Sequence, residues 1–123
     1  MMTQLVTGID LIEIGRIREA VERHGARFLE RIYTPTELRL ARESAASLAG
    51  RFAAKEAAAK ALGCGIGIVG WKDIEILRDE AGGPRIVLHG PAAQRAAEQG
   101  LQNWSVSLSH TRENAVAVVV GSE

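Results

Sequence analysis

The sequence has little of what marks secreted, membrane or nucleic-acid-binding proteins. Cys64 is the only cysteine, so no disulfide can form within the chain, and a reducing compartment, the cytoplasm, is expected. Lys plus Arg and Asp plus Glu number 15 each, which argues against a binder of duplex nucleic acid. The start of the chain lacks the pattern of a signal peptide, and no apolar run approaches the roughly 20 residues that span a bilayer. Neither a nucleic acid nor a membrane is therefore an expected partner.

Aromatic residues are also scarce, at 4%, but the remaining composition is ordinary for a globular protein, with 46% hydrophobic and 24% charged residues. A length of 123 residues predicts one compact domain over 1–123. Basic residues are more frequent in the first half of the chain than in the second. An acidic partner for the first half is therefore compatible with the balanced total charge.

Strand patterns lie at both ends of the chain and helical patterns in the middle. Predicted elements in chain order are a strand at 4–12, helices at 16–23 and 26–32, a helix starting with the capping box at 34–37, a helix at 47–62, hairpin strands at 73–77 and 85–88, a helix at 91–99, and strands at 103–109 and 115–120. This order predicts an α+β fold in which an antiparallel sheet packs with a long central helix.

The central helix is rich in alanine and is followed by Gly63, which suits a helix end. Glu56 and Lys60 are four residues apart on it and therefore share a face. One interpretation is an ordinary solvated ion pair. The other is that these long side chains, which project from an alanine-lined helix, contact something specific.

Asp10 interrupts an apolar strand face, where alternation places it with Val6, Gly8 and Ile12. It is either a buried carboxylate that accepts backbone hydrogen bonds or a metal ligand. Magnesium prefers oxygen ligands and is usually held by one or two carboxylates together with waters and substrate phosphates. Asp10 and Glu56 would suffice for such a site, whereas no Cys/His spacing indicates zinc and no acidic loop indicates calcium.

Weaker candidates lie in two loops. The glycines at 63, 65 and 67 would let backbone amides approach a phosphate, but Gly63 is equally explained as a helix cap. Cys64 between them is more consistent with a small filler than with a nucleophile. His110 follows a predicted strand, and it is either an ordinary turn histidine or a donor to a phosphate.

Three motifs together resemble the holo-acyl-carrier-protein synthase family of phosphopantetheinyl transferases. They are Gly8-Ile9-Asp10-Leu11, the segment RFAAKEAAAKALG at 51–63, and Ser107-Leu108-Ser109-His110-Thr111. The resemblance extends over essentially the whole chain, and the middle motif is highly specific to these transferases. It implies the 4′-phosphopantetheinyl transferase fold.

The resemblance also implies a reaction and a set of site residues. Such enzymes use Mg²⁺ to move 4′-phosphopantetheine from coenzyme A to a serine of apo-acyl carrier protein, for fatty acid biosynthesis, and release adenosine 3′,5′-bisphosphate. The implied metal ligands are Asp10 and Glu56, and the implied catalytic set adds Lys60 and His110. The implied coenzyme A contacts are Arg51, Lys55, Lys60, Gly63, Gly65 and His110. The implied carrier-binding residues are Arg16, Arg23, Arg27 and Phe28.

The resemblance further implies a homotrimer with active sites at subunit interfaces. In the expected mechanism, the carrier serine attacks the β-phosphorus in line, and Lys60 offsets charge on the departing bisphosphate. The serine proton would go to Glu56 or to a metal-bound water, and the residues do not decide between them.

Two alternatives differ from this prediction in partner or in class. One is a related transferase that serves carriers of polyketide or peptide synthases. The other is a non-catalytic oligomeric module that binds a phosphate anion. The short chain argues against the first, and the presence of Asp10, Glu56 and Lys60 argues against the second.

Overall fold

The computed structural model describes residues 4–123 and contains five strands and five α-helices among them. The elements are β1 (Leu5–Glu13), α1 (Ile14–His24), α2 (Ala26–Ile32), α3 (Pro35–Ala41), α4 (Ala45–Ala61), a short 3₁₀ helix (Trp71–Asp73), β2 (Ile74–Arg78), β3 (Pro84–Leu88), α5 (Gly90–Glu98), β4 (Asn103–His110) and β5 (Asn114–Ser122). In residues 4–123, no helix has both the length and the apolar character needed to cross a membrane.

The strands form two antiparallel sheets. One has the order β1-β5-β4, and the other is the β2-β3 hairpin. The apolar run of β5 suits its position at the centre of the larger sheet. The α+β prediction is therefore confirmed, although the five predicted strands divide between two sheets.

Helix α4 packs closely on the inner face of the larger sheet. Its sheet-facing residues are small, and Ala57 is fully buried while Ala61 is nearly so. Gly8 lies opposite them on β1, where a Cβ atom would overlap the Ala57 carbonyl oxygen and lie 3.0 Å from the Ala61 nitrogen. Small residues on both elements thus permit the close approach that brings Asp10, two residues further along β1, beside the helix.

Local capping chemistry explains where the helices begin. Thr34 and Glu37 form the predicted capping box at the start of α3. The central helix begins at Ala45 instead of Ser47, because the Ser44 side chain accepts a hydrogen bond from Ser47 N and acts as the N-cap. Gly25, at φ +52°, separates α1 from α2.

The outer face of the larger sheet is apolar and exposed along β1 and β5. Strand β1 alternates, so that Leu5, Ile9 and Leu11 point away from α4 and are each more than half exposed, and Val118 of β5 is 37% exposed. Burial of this face would require another layer of protein.

Candidate active site

Three of the four residues implied as catalytic converge where β1 meets α4. The Lys60 Nζ atom donates hydrogen bonds to Asp10 Oδ1 at 3.1 Å and to the Ile9 carbonyl at 3.0 Å. Lys60 therefore pairs with Asp10 across the fold, and not with Glu56 along the helix. The Asp10 and Lys60 side chains are 19% and 53% exposed, so this pair is open to solvent.

The electrostatics of Glu56 show that the two carboxylates lie near each other. Partial burial and then the charge of Asp10 raise the pKa of Glu56 above its ordinary value, and Lys60 opposes this rise. Among residues 4–123, the Glu56 carboxylate accepts no protein hydrogen bond. Its oxygens therefore remain available as ligands.

This donor set fits magnesium. A divalent cation would relieve the repulsion between Asp10 and Glu56, and both supply the oxygen ligands that magnesium prefers. Within the described part of the chain, no group of three His, Cys, Asp or Glu side chains is arranged for a metal. Two carboxylates with coordination sites left for water and phosphate match the usual magnesium arrangement, whereas they would be a poor zinc or calcium cage.

A second candidate region is a cleft of ≈ 350 Å³ on the other side of α4. Its polar lining comes from the start of α4, the β2-β3 hairpin and the end of β4. The lining residues are Ser44, Ala46, Ser47, Gly50, Arg51, Ile76, Leu77, Arg78, Gly82, Pro84, Leu108, Ser109 and His110. Two arginines give this cleft the donors that phosphate groups require.

Arg51 is held in the cleft wall by two hydrogen bonds, from Nε to the Ile76 carbonyl at 3.1 Å and from Nη1 to Ser47 Oγ at 2.6 Å. Burial lowers the pKa of Arg51, the charge of Glu37 opposes this shift, and Arg78 adds to it. His110 is exposed, and its Nδ1 lies 3.2 Å from the Thr111 carbonyl. A carbonyl only accepts, so this contact assigns the proton to Nδ1 and leaves Nε2 for a ligand.

The cleft and the acidic site lie apart in one chain. His110 pairs with Ala115, which pairs in turn with Ile12, so β5 separates the end of β4 from β1 by about 10 Å. Arg51 and Glu56 are five residues apart on α4, which turns their side chains about 140° from each other. One chain therefore does not bring His110 and Arg51 together with Asp10, Glu56 and Lys60.

Lys55 lies in neither region. Its side chain is fully buried, and Nζ donates to Glu37 Oε1 at 2.7 Å, the Trp71 carbonyl at 2.9 Å and the Ile74 carbonyl at 2.6 Å. Burial lowers the pKa of Lys55, and Glu37 opposes this shift. Because all three N–H donors are engaged, this position does not favour the coenzyme A contact implied for Lys55.

The glycine loop follows α4 on the side of Lys60. Gly63 adopts φ +78° and its N–H donates to the Lys60 carbonyl, which is the helix-capping arrangement. A Cβ on Gly65 would meet no atom within 4 Å, so its backbone is open to approach. The helix C-terminus is unfavourable for an anion, but Arg95 Nε donates to the Leu62 carbonyl at 3.0 Å and brings a compensating positive charge.

The implied carrier-binding residues lie on α1 and α2. Arg16 and Arg23 of α1 form well-exposed ion pairs with Glu13, the last residue of β1, and with Glu19 of α1. Arg27 and Phe28 belong to α2, where they line a cavity of ≈ 270 Å³ together with His24 and Arg31. These four residues thus lie on two consecutive helices that carry a cluster of positive charge.

Sequence reasoning missed the hairpin's contribution to the cleft. Arg78, Gly82 and Pro84 line it, but the sequence around them indicated only a turn. An arginine at the end of a strand next to a glycine-rich turn was the available signal. This signal became informative only when the structure placed Arg78 and Arg51 in the lining of the same cleft.

Comparison with known proteins identifies the family. Residues 7–119 match the sequence model of the 4′-phosphopantetheinyl transferase superfamily. A holo-[acyl-carrier-protein] synthase of Herpetosiphon aurantiacus is 54% identical over 124 residues, which cover 95% of this chain and 98% of that protein. The resemblance predicted from the three motifs is confirmed.

Solved structures of similar proteins agree with this result. The holo-[acyl-carrier-protein] synthase of Helicobacter pylori, in complex with coenzyme A, has a TM-score of 0.86 and 39% identity, with 94% of this chain and 98% of that one covered. The Bacillus anthracis enzyme, in complex with CoA (3′,5′-ADP), has a TM-score of 0.81 and 35% identity, with 99% of both chains covered. This chain belongs to the 4′-phosphopantetheinyl transferase superfamily, in which its similar relatives are holo-acyl-carrier-protein synthases.

Proposed function

We propose that this chain is a Mg²⁺-dependent holo-acyl-carrier-protein synthase that transfers 4′-phosphopantetheine from coenzyme A to a serine of apo-acyl carrier protein for fatty acid biosynthesis. The enzyme class follows from the family and its relatives. The observation that supports the site is the convergence of Asp10, Glu56 and Lys60 at one solvent-accessible junction of β1 and α4.

Asp10 and Glu56 would hold the metal. When bound, Mg²⁺ would supply positive charge to the pyrophosphate of coenzyme A. Lys60 offsets the charge of Asp10, and its ammonium uses two of three donors on atoms of residues 4–123. The third donor, on a half-exposed side chain, is available to a phosphate oxygen of the departing bisphosphate.

The chemistry requires one bond to form and one to break. The carrier serine oxygen bonds to the β-phosphorus, and the bond from that phosphorus to the oxygen of the departing bisphosphate breaks, which releases adenosine 3′,5′-bisphosphate. The serine proton passes to the Glu56 carboxylate or to a water.

The cleft beside Arg51 would bind the nucleotide part of coenzyme A. Arg51 and Arg78 supply donors for phosphate, and Nε2 of His110 adds one when the ring carries both protons. The apolar wall from Ile76, Pro84 and Leu108 suits an aromatic base. The loop at Gly63 and Gly65 lies on the metal side, where its open backbone can approach the pyrophosphate.

A homotrimer would reconcile the two separated regions. The acidic site and the cleft lie apart in one chain, so we propose that coenzyme A contacts the acidic site of one subunit and the cleft of its neighbour. The exposed apolar face with Leu5, Ile9 and Leu11 supplies a surface for subunit contact. Sedimentation or light scattering tests this step, and a fully active monomer would contradict it.

The carrier would dock on the basic surface of α1 and α2. Acyl carrier proteins are acidic partners in the reaction proposed here, and Arg16, Arg23 and Arg27 are positioned to attract such a partner, with Phe28 as an apolar contact. The proposed location is the cytoplasm, where a lone Cys64 remains reduced.

A transfer assay distinguishes this proposal from its two alternatives. The protein is incubated with coenzyme A, Mg²⁺ and purified apo-carriers of fatty acid, polyketide and peptide synthases, and each carrier is weighed by mass spectrometry. The expected result is the phosphopantetheine increment on the fatty acid carrier. An increment confined to the other carriers would indicate the related transferase, and none on any carrier would indicate a non-catalytic module.

A further inference from the structure

Charged side chains cover the outer edge of strand β2. The Ile74 carbonyl accepts from Lys55 Nζ at 2.6 Å, and the Ile76 carbonyl accepts from Arg51 Nε at 3.1 Å. The Ile76 N–H donates to Glu37 Oε2 at 3.0 Å. We call these three side chains, Glu37, Arg51 and Lys55, the edge ladder.

The edge ladder replaces a neighbouring strand. Ile74 and Ile76 pair with Leu88 and Ile86 of β3. In an antiparallel pair, alternate residues direct both backbone polar groups away from the partner strand. The groups of Ile76 point this way, and they would be buried without a partner if the edge ladder were absent. The hairpin is therefore attached to α3 and α4 through side chains instead of through a sheet.

Two members of the edge ladder form a buried ion pair, which folding stability by itself does not require. Glu37 and Lys55 are both fully buried and pair at 2.7 Å. Glu37 Oε1 also accepts from Thr34 N at 2.9 Å, so both partners are fully committed. Apolar replacement of a whole buried pair is often neutral or stabilising, so the free energy of folding alone does not account for a charged pair at this position.

The edge ladder determines where the hairpin stands relative to α4. The hairpin contributes Arg78, Gly82 and Pro84 to the cleft, and α4 contributes Arg51. Apolar contacts alone would define the position of the hairpin along α4 less narrowly, because such contacts are not directional. Three directional hydrogen bonds narrow that position and so help to set the width of the cleft.

We propose that Glu37 and Lys55 are positioning residues for coenzyme A: they hold the β2-β3 hairpin against α4 and so set the shape of the cleft, without touching the substrate. This inference rests on the proposed binding of coenzyme A in that cleft. It assigns Lys55 a role through β2 in place of the direct coenzyme contact implied by sequence resemblance.

The test is the double variant Glu37→Gln with Lys55→Met, which removes both buried charges and nearly keeps side-chain size. We expect it to fold, with KM for coenzyme A raised about tenfold, the low end of the cost of losing groups that orient ligand-contacting side chains. We expect kcat to change less than about twofold, because the metal site is untouched. Hydrogen exchange should show faster exchange at the Ile76 amide.

Controls separate positioning from general stability. Arg39→Gln removes a charge from the exposed side of the same helix, α3, where Arg39 bonds only Thr36 among residues 4–123, and it should leave KM unchanged. An unchanged KM in the folded double variant would overturn the inference. So would a fall in kcat with no rise in KM, which indicates only a loss of folded enzyme. If the double variant does not fold, Glu37→Gln alone provides the same comparison below its melting temperature.

A separate variant tests the cleft itself. Arg78→Gln should raise KM for coenzyme A if the cleft binds it. If Arg78→Gln has no effect on KM, the proposed location of coenzyme A is wrong. If Arg78→Gln raises KM and the double variant does not, the cleft assignment stands and only the positioning role fails.

Discussion

Two lysines five residues apart on α4 form ion pairs of opposite character. Lys55 and Glu37 are both 0% exposed, and the lysine's donors all end on protein atoms. Lys60 and Asp10 are 53% and 19% exposed, and both keep polar groups open to solvent. The first pair organises the fold, whereas the second is available for chemistry. The comparison shows that a motif with two lysines does not by itself reveal which one meets substrate.

The largest expected effect is the loss of transfer activity when Glu56, the neighbour of the exposed pair Asp10 and Lys60, is replaced. Glu56→Gln should reduce transfer at least about 1,000-fold, because loss of a metal's charge stabilisation is worth several kcal/mol. The melting temperature should change little, since Glu56 accepts no protein hydrogen bond within residues 4–123. Steady-state kinetics measure the transfer rate, and differential scanning calorimetry measures the melting temperature. Glu98→Gln, a surface carboxylate on α5, is the control and should remain fully active.

Breaking the buried pair should affect stability instead. Lys55→Met leaves the Glu37 carboxylate buried without its cation, and we expect it to lower the free energy of unfolding by about 3–5 kcal/mol. Urea denaturation measures this change. If Lys55→Met proves as stable as the wild type, the buried pair is not the structural member of the comparison.

A methyl group at Gly8 should disturb the exposed pair through the backbone. Gly8→Ala would press Cβ against the Ala57 carbonyl, and overpacking of this kind costs about 1–3 kcal/mol. It should also reduce activity, because β1 must move away from α4 and carry Asp10 with it. Gly15→Ala is the matched control, since no atom lies within 4 Å of its Cβ position. Equal effects of the two substitutions would argue against close packing as the reason for Gly8.

Breaking the exposed pair should cost little stability. Lys60→Met should lower the free energy of unfolding by less than about 1 kcal/mol, because solvent screens a half-exposed pair. Its transfer activity should nevertheless fall, since the donor for the bisphosphate is lost. A loss of stability as large as that of Lys55→Met would remove the distinction between the two lysines.

The smallest expected effect is a pH dependence of metal binding. Burial and then Asp10 raise the pKa of Glu56 in the folded protein, so Glu56 favours the metal-free fold at low pH and loses this contribution as pH rises through the raised pKa. Mg²⁺ requires the ionised carboxylate. The increase in melting temperature caused by Mg²⁺ should therefore grow as pH rises through this range, and Glu56→Gln should abolish that growth. If the rise in melting temperature caused by Mg²⁺ does not vary with pH in the wild type, Mg²⁺ binding is not coupled to the ionisation of Glu56.

Most of the fold could be predicted from the sequence because its signals are local. The capping box at Thr34 and the branched run of β5 each act over a few residues. The predicted start of α4 was less accurate. Ser44 and Ser47 are both acceptable N-caps, and only the structure shows that Ser44 is the one used.

The site was predicted in part, for a physical reason. Asp10 stood out as a carboxylate on an apolar strand, and Glu56 as a long side chain on an alanine helix. Lys55 could not be distinguished from Lys60, because its burial depends on Glu37 in α3 and on carbonyls near β2. Residues brought together by tertiary packing leave no pattern in neighbouring sequence.

The most direct test of the central claim is a calorimetric titration of Mg²⁺ in the presence of coenzyme A. It compares the wild type with the double variant Asp10→Asn, Glu56→Gln. The melting temperature of each protein without Mg²⁺ is measured first, so that both are titrated in the folded state. After subtraction of the heat of Mg²⁺ binding to coenzyme A alone, we expect saturable binding by the wild type and none by the variant. Equal Mg²⁺ affinity in the two proteins would contradict the assignment of the metal to Asp10 and Glu56.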